Sequence, residues 1–236
     1  MFQTDPFSLI VLFVGLSLLP FVAMVATSYL KIVVVMSLIR NALGIQSIPP
    51  NMVVNALAMI LTFYIMAPMA SESWQIIQKQ ANARKPQVTS QVTPGGVQPA
   101  QGNPILSISS DDWAAAAEPF RKFLSDHTAP RERAFFVNTA ETLWGKDGEP
   151  ATVDSESYAI LLPSFCVSEL TKAFQIGFLV YLPFIAIDII VSNILLAMGM
   201  MMVSPVTISL PFKLLLFVMV NGWTLLIQGL VQSYIR

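Results

Sequence analysis

The chain is poor in charge. Asp, Glu, Lys and Arg make up only 11% of its 236 residues, against about 25% in an ordinary soluble domain. So few charges cannot coat the surface of a soluble globule. Cysteine is nearly absent: Cys166 stands alone, which excludes an intramolecular disulfide framework and multi-Cys zinc or iron–sulfur centres. His127 is the single histidine, so His-pair metal sites and most histidine catalysis are excluded as well. A phosphate-binding GxxxxGK[ST] loop, a GxSxG elbow, an HExxH motif and a dinucleotide fingerprint are all missing, and each is the usual carrier of its chemistry. The formal net charge of −1 provides no basic field for nucleic acid. His127 lies in a polar stretch and Cys166 in an apolar one, where a thiol packs as a small hydrophobe. An enzyme is not expected, and no metal or other cofactor is implied.

What the chain has is apolar surface. Hydrophobic residues make up 55%, and the mean hydropathy is +0.66. The charges cluster: 11 acids and 8 bases, 19 of the 27, fall between Glu72 and Glu156. Residues 6–30, 41–71, 173–187, 189–212 and 214–235 carry none. A membrane-crossing helix needs about 20 apolar residues, and four stretches qualify, near 7–30, 51–70, 173–198 and 206–231. With no strand alternation and no internal repeat, the expected class is all-α. It is a membrane-associated protein with four hydrophobic, kinked helical segments forming hairpins and a small helical polar insert. The expected divisions are an N-terminal hairpin (1–71), a polar insert (72–158) and a C-terminal hairpin (159–236).

Within the insert, residues 81–104 are rich in Gln, Pro, Gly and Thr and lack apolar periodicity; they read as a disordered linker. Asp111 and Asp112 ahead of an alanine run mark a helix start. Helices are expected over 111–126 and 130–144, with Trp113, Phe120, Phe123, Phe135, Phe136 and Trp144 sharing a small core. The first apolar stretch reads as a retained helix, since Asp5 is the only charge ahead of it. Lys31 and Arg40 lie between the first two stretches and place that loop on the cytoplasmic side. The insert then faces the periplasm or exterior.

Three features invite function. Glu169, Lys172, Asp188 and Lys213 are ionisable residues in or beside apolar helices, where a charge costs about 2.5–3.5 kcal/mol at a helix centre unless paired. Glu169 and Lys172, three apart, can pair on one face. Lys213, alone in PFKLLLF, needs a partner from elsewhere, with Glu169 and Asp188 as candidates. A proton relay would need more acids and histidines than are present. Second, Met198, Met200, Met201 and Met202 fall within five residues, and Gly199 and Pro205 should break the helix on either side. This is either a plain hydrophobic turn or a pore constriction of adaptable side chains. Third, Pro20, Pro49, Pro50, Pro68, Pro163, Pro183, Pro205 and Pro211 sit in or beside apolar segments. They favour kinked helices packed on other protein.

Two blocks then resemble a known family. TSYLKIVVVMSLIRNALGIQSIPPNMVVNALAMILTFYIMAP (27–68) and LLPSFCVSELTKAFQIGFLVYLPFIAIDIIVSNILLAMGMMMVSPVTISLPFKLLLFVMVNGWTLLIQGLVQSY (161–234) cover about half the chain. They are similar to the FliP/SctR family, of YscR and HrcR type, of type III secretion export-apparatus proteins. The resemblance implies a bacterial inner-membrane, multi-pass subunit, with much of the assembled complex at the periplasmic face. It implies a homo-pentamer with SctS-like and SctT-like subunits, alongside SctU-like and SctV-like components, forming an entry channel for unfolded secreted proteins. By the same resemblance Met200, Met201 and Met202 form a pore gasket, and Glu169, Lys213 and Asp188 make intersubunit charged contacts. Flagellar members of the family often carry a cleavable signal sequence, so reading the first stretch as a retained helix leads us to expect the virulence or symbiosis injectisome branch. One departure is Asn221 in VMVNGW, where the family pattern leads us to expect an acid. The alternative function is a small-solute or proton-coupled membrane transporter, supported by the intramembrane charges.

Overall fold

The computed structural model describes residues 6–45, 48–83, 110–145 and 151–235. Every regular element among the described residues is helical: α1 (Pro6–Val25), α2 (Tyr29–Ala42), α3 (Asn51–Ala83), α4 (Ser110–His127), α5 (Pro130–Trp144), α6 (Tyr158–Ala197), α7 (Pro205–Met219) and α8 (Gly222–Gln232). Helices α3 and α6 are each long and apolar enough to cross a membrane, and counting each bent pair as one span raises the number to four. The all-α membrane class therefore holds.

Helix α2 is the centre of the fold. Ile32, Val35, Met36, Ile39 and Ala42 are buried, and their spacing of three and four residues forms one helical stripe. That stripe meets Val54 and Ala58 of α3, Ala173 and Phe184 of α6, Phe217 of α7, and Leu226 and Leu230 of α8. Gly177 lets α2 and α6 approach closely: a Cβ there would lie 2.3 Å from Leu38 Cδ1. Helix α1 is different. Its main contact with the body is through α2, and the side chains described along it are exposed although nearly all are apolar.

Two breaks between helices fall away from proline. The chain bends by 59° between α1 and α2, across Ala26–Ser28, and by 59° between α7 and α8. Asn221 sits in the second bend at φ 50, a left-handed conformation that asparagine adopts more readily than most residues. The helices continue through Pro20, Pro68, Pro163, Pro183 and Pro211. Pro130 and Pro205 occupy helix starts, where the missing N–H would have had no partner anyway.

Element lengths depart from the sequence expectation in two places. Helix α6 begins at Tyr158 and runs 40 residues, so the stretch expected near 173 is only its later part. Helix α3 runs 33 residues to Ala83. It passes residue 71 without a break and takes in residues 81–83 of the expected linker; residues 84–104 of that linker lie outside the described residues. Hydropathy marks where a helix turns polar, while backbone hydrogen bonding carries the helix on.

The insert helices lie where expected, at 110–127 and 130–144. The expected shared aromatic core does not form. Phe120 and Phe123 of α4 pack with Leu124 against Leu161 and Phe165 of α6, whereas Trp113, Phe135 and Trp144 are exposed. Two short helices have too little apolar surface for a core of their own, so α4 lies on α3 and α6 and α5 lies on α6.

Candidate functional site: two buried charge clusters and an exposed methionine turn

The first cluster forms where α2, α6, the insert and the C-terminal tail meet. Glu169 and Lys31 are 0% and 1% exposed and pair at 3.1 Å through Oε2. Oε1 pairs with Lys172 Nζ, also at 3.1 Å, and the Tyr234 hydroxyl donates to Oε2. The Lys31 ammonium lies 3.5 Å from the centre of the Tyr234 ring, a cation–π geometry. Lys172 Nζ also donates to the His127 carbonyl at 2.6 Å, and the Ala129 N–H donates to Ser168 Oγ at 2.9 Å. Burial, and then the Glu169 carboxylate, push the Tyr234 phenol far above the ordinary tyrosine range. The phenol therefore stays protonated and remains a donor.

The second cluster clamps α7 to α6 and to the end of α2. Lys213 Nζ pairs with Asp188 Oδ2 at 2.6 Å and donates to the Ala42 carbonyl at 3.3 Å. Ser209, one turn before Lys213, donates to Asp188 Oδ1 at 2.6 Å. Ala42 is the last residue of α2, so the ammonium also sits at the negative end of that helix dipole. Together the two clusters hold α2 near both of its ends.

Sequence reasoning foresaw the Glu169–Lys172 pair and paired Lys213 with one of two acids; the structure selects Asp188. It missed Lys31 and Tyr234. Lys31 reads from the sequence as an orientation-setting loop charge, but it lies inside α2 and is enclosed by Glu169. Its isolation between two uncharged stretches was the available signal, the same one that singled out Lys213. Tyr234 carried no signal, because a tyrosine near the end of an apolar run is ordinary.

The methionine turn joins α6 to α7. Gly199, at φ 73, ends α6: its N–H donates to the Leu196 carbonyl and the Met200 N–H to the Leu195 carbonyl, each at 3.0 Å. This is a Schellman closure, which requires a left-handed residue where glycine stands. Ser204 and Pro205 then open α7. Between these two stops Met201 and Met202 are 81% and 101% exposed, and Met200 there and Met198 just before the glycine are exposed as well. Four flexible apolar side chains are thus presented by a backbone whose own termini are satisfied. Among the described residues, no three His, Cys, Asp or Glu side chains converge as a metal site.

A model of the FliP family matches residues 12–230. The chain belongs to the FliP family. Yop proteins translocation protein R of Yersinia pestis is 49% identical over 232 residues, covering 98% of this chain and 97% of that protein. Hypersensitivity response secretion protein HrcR of Ralstonia nicotianae is 47% identical over 227 residues, 96% of each chain. The flagellar biosynthetic protein FliP of Bacillus subtilis is 40% identical over 227 residues, 96% of this chain and 90% of that one. These relatives span secretion, translocation and flagellar biosynthesis, and similarity to each extends across the insert as well as the apolar blocks. The two proteins named for translocation and secretion are nearer in identity than the flagellar one.

Proposed function

We propose that this chain is a non-enzymatic core subunit of a type III secretion export gate in the bacterial inner membrane. The subunit assembles as a homo-pentamer with SctS-like and SctT-like proteins, next to SctU-like and SctV-like components. Unfolded secreted proteins pass through the resulting channel, much of which lies at the periplasmic face. Met200, Met201 and Met202 form its gasket. The observation that carries this reading is the contrast between a firmly closed hairpin backbone and the exposed, flexible thioethers at its tip. Adaptable apolar side chains seal against each other when the pore is empty and around a passing chain when it is not. The Asp188–Lys213 clamp keeps the two stalk helices in register behind the tip.

The charge clusters support an architectural role over a transport relay, because each ion pair is closed within the chain. Glu169 and Lys213 are enclosed by partners from their own subunit. Asp188, 35% exposed, is the member of the set with surface left for a neighbouring subunit. The test is to replace Met200, Met201 and Met202 together with alanine and measure ion conductance of the purified assembly in planar bilayers. The expected outcome is intact assembly with a standing leak. An ion-tight assembly after this substitution would remove the gasket reading.

A further inference from the structure

We propose that the last turn of the chain is a latch that holds the polar insert onto the apolar body, with Tyr234 as its positioning residue. Helix α8 ends at Gln232 and is anchored by Leu226 and Leu230 in the main core. Two residues beyond it, Tyr234 turns its ring to three elements at once. Its hydroxyl donates to Glu169 of α6, and its face lies under Lys31 of α2. Towards the insert it stacks on Phe123 at 6.0 Å and 16° and meets His127 at 5.1 Å. Phe123 in turn packs on Phe165 of α6 at 5.7 Å.

Other ties hold the insert as well: the Tyr158 hydroxyl donates to the Ala117 carbonyl at 2.9 Å, and Arg133 pairs with Glu156 at 2.9 Å. The α4–α5 corner is fastened to α6 by the Lys172–His127 and Ala129–Ser168 hydrogen bonds. Lys172 is also 38% exposed, so water competes for its ammonium. Tyr234 is half-buried and, through Phe123, adjoins the fully buried Leu124 and Phe165. Without its ring the face of Phe123 is uncovered, Lys31 loses its π partner, and Glu169 keeps two ammonium groups but loses its one neutral donor. The insert would then rest on its packing to α3 and α6 and on these polar ties. This inference concerns the subunit's own architecture and stands apart from the gasket reading.

The experiment uses the full chain in its purified, detergent-solubilised assembly. Limited trypsin digestion reads opening of the insert at Arg121, Lys122, Arg131 and Arg133, with cleavage after Arg40 as the control for general unfolding. When opening is fast relative to cutting, the cleavage rate follows the population of the open form. Tyr234→Ala is expected to speed cleavage in the insert by about tenfold or more, as fits losing a hydrogen bond to a charged group and a desolvated cation–π contact. Cleavage after Arg40 should not follow. Tyr234→Phe, which keeps the ring and loses only the hydroxyl, should recover at least about half of that effect on a logarithmic scale. Equal acceleration at both sites, or a phenylalanine variant as open as the alanine one, would overturn the latch. Should the alanine variant fail to assemble, p-benzoylphenylalanine at position 234 supplies the second arm. Irradiation should join it to the fragment carrying Phe123 and His127, and adducts confined to other parts of the chain would likewise overturn the proposal.

Discussion

Replacing Glu169 with leucine should be among the most damaging single changes in the apolar body. The substitution keeps the approximate volume and removes the carboxylate. Lys31, 1% exposed, is then left in the interior with only the Tyr234 ring for its charge. Breaking a buried pair by deleting one partner costs about 3–5 kcal/mol, because the other charge stays desolvated. Lys172 adds little to this: at 38% exposure its ammonium can turn to water, and such pairs are worth about 0–1 kcal/mol. The expected loss is therefore about 4 kcal/mol, set almost entirely by Lys31. At about 2–4 °C per kcal/mol for a chain of this size, the melting temperature should fall by about 8–16 °C. The informative companion is Lys31→Met with Glu169→Leu. Replacing both charges by apolar groups of similar shape is often neutral, so the double variant should regain most of the loss. A double-mutant cycle on the detergent-solubilised protein, read by thermal unfolding, measures the coupling, expected near 3 kcal/mol. A single variant within about 1 kcal/mol of the parent, or a double variant no better than the single, would refute the reasoning.

Other positions separate the remaining forces. Asp188→Asn keeps an acceptor for Ser209 but removes the countercharge of buried Lys213; denaturant unfolding should show a loss of about 2 kcal/mol, smaller than at Glu169 because Asp188 is partly exposed. Gly177→Ala places a methyl against the Leu38 side chain and should cost about 1–3 kcal/mol by overpacking, with Leu38→Ala relieving part of it in a thermal cycle. Gly199→Ala meets no atom within 4 Å but must hold φ 73; a cost of about 1–2 kcal/mol from the left-handed backbone is expected, unaffected by any neighbouring truncation.

Much was legible in advance because it rests on local chemistry. Uncharged runs of helical length exclude strands and a soluble surface. The Gly199 and Pro205 stops define a turn wherever the chain is placed, so the methionine tip was readable from its neighbours in sequence. The insert helices were likewise marked by their own composition, down to Pro130 at a helix start. The breaks at Ala26–Ser28 and Val220–Asn221 were not, since neither has the proline that would announce a bend.

Tertiary structure decided the partners. Lys31 and Glu169 are 138 positions apart, and although the isolation of Lys31 hints at a buried charge, neither neighbourhood names the partner. Periodicity shows that α2 has a buried stripe, but not that Gly177 brings α6 close enough for Glu169 to meet it. The same holds for the insert: its aromatics suggested a private core, and only the docked α4 showed that they complete the face of α6. Local propensity is a sum over neighbours in the chain and can be read there. Ion pairing and burial depend on distances in space, and those exist only once the helices have packed.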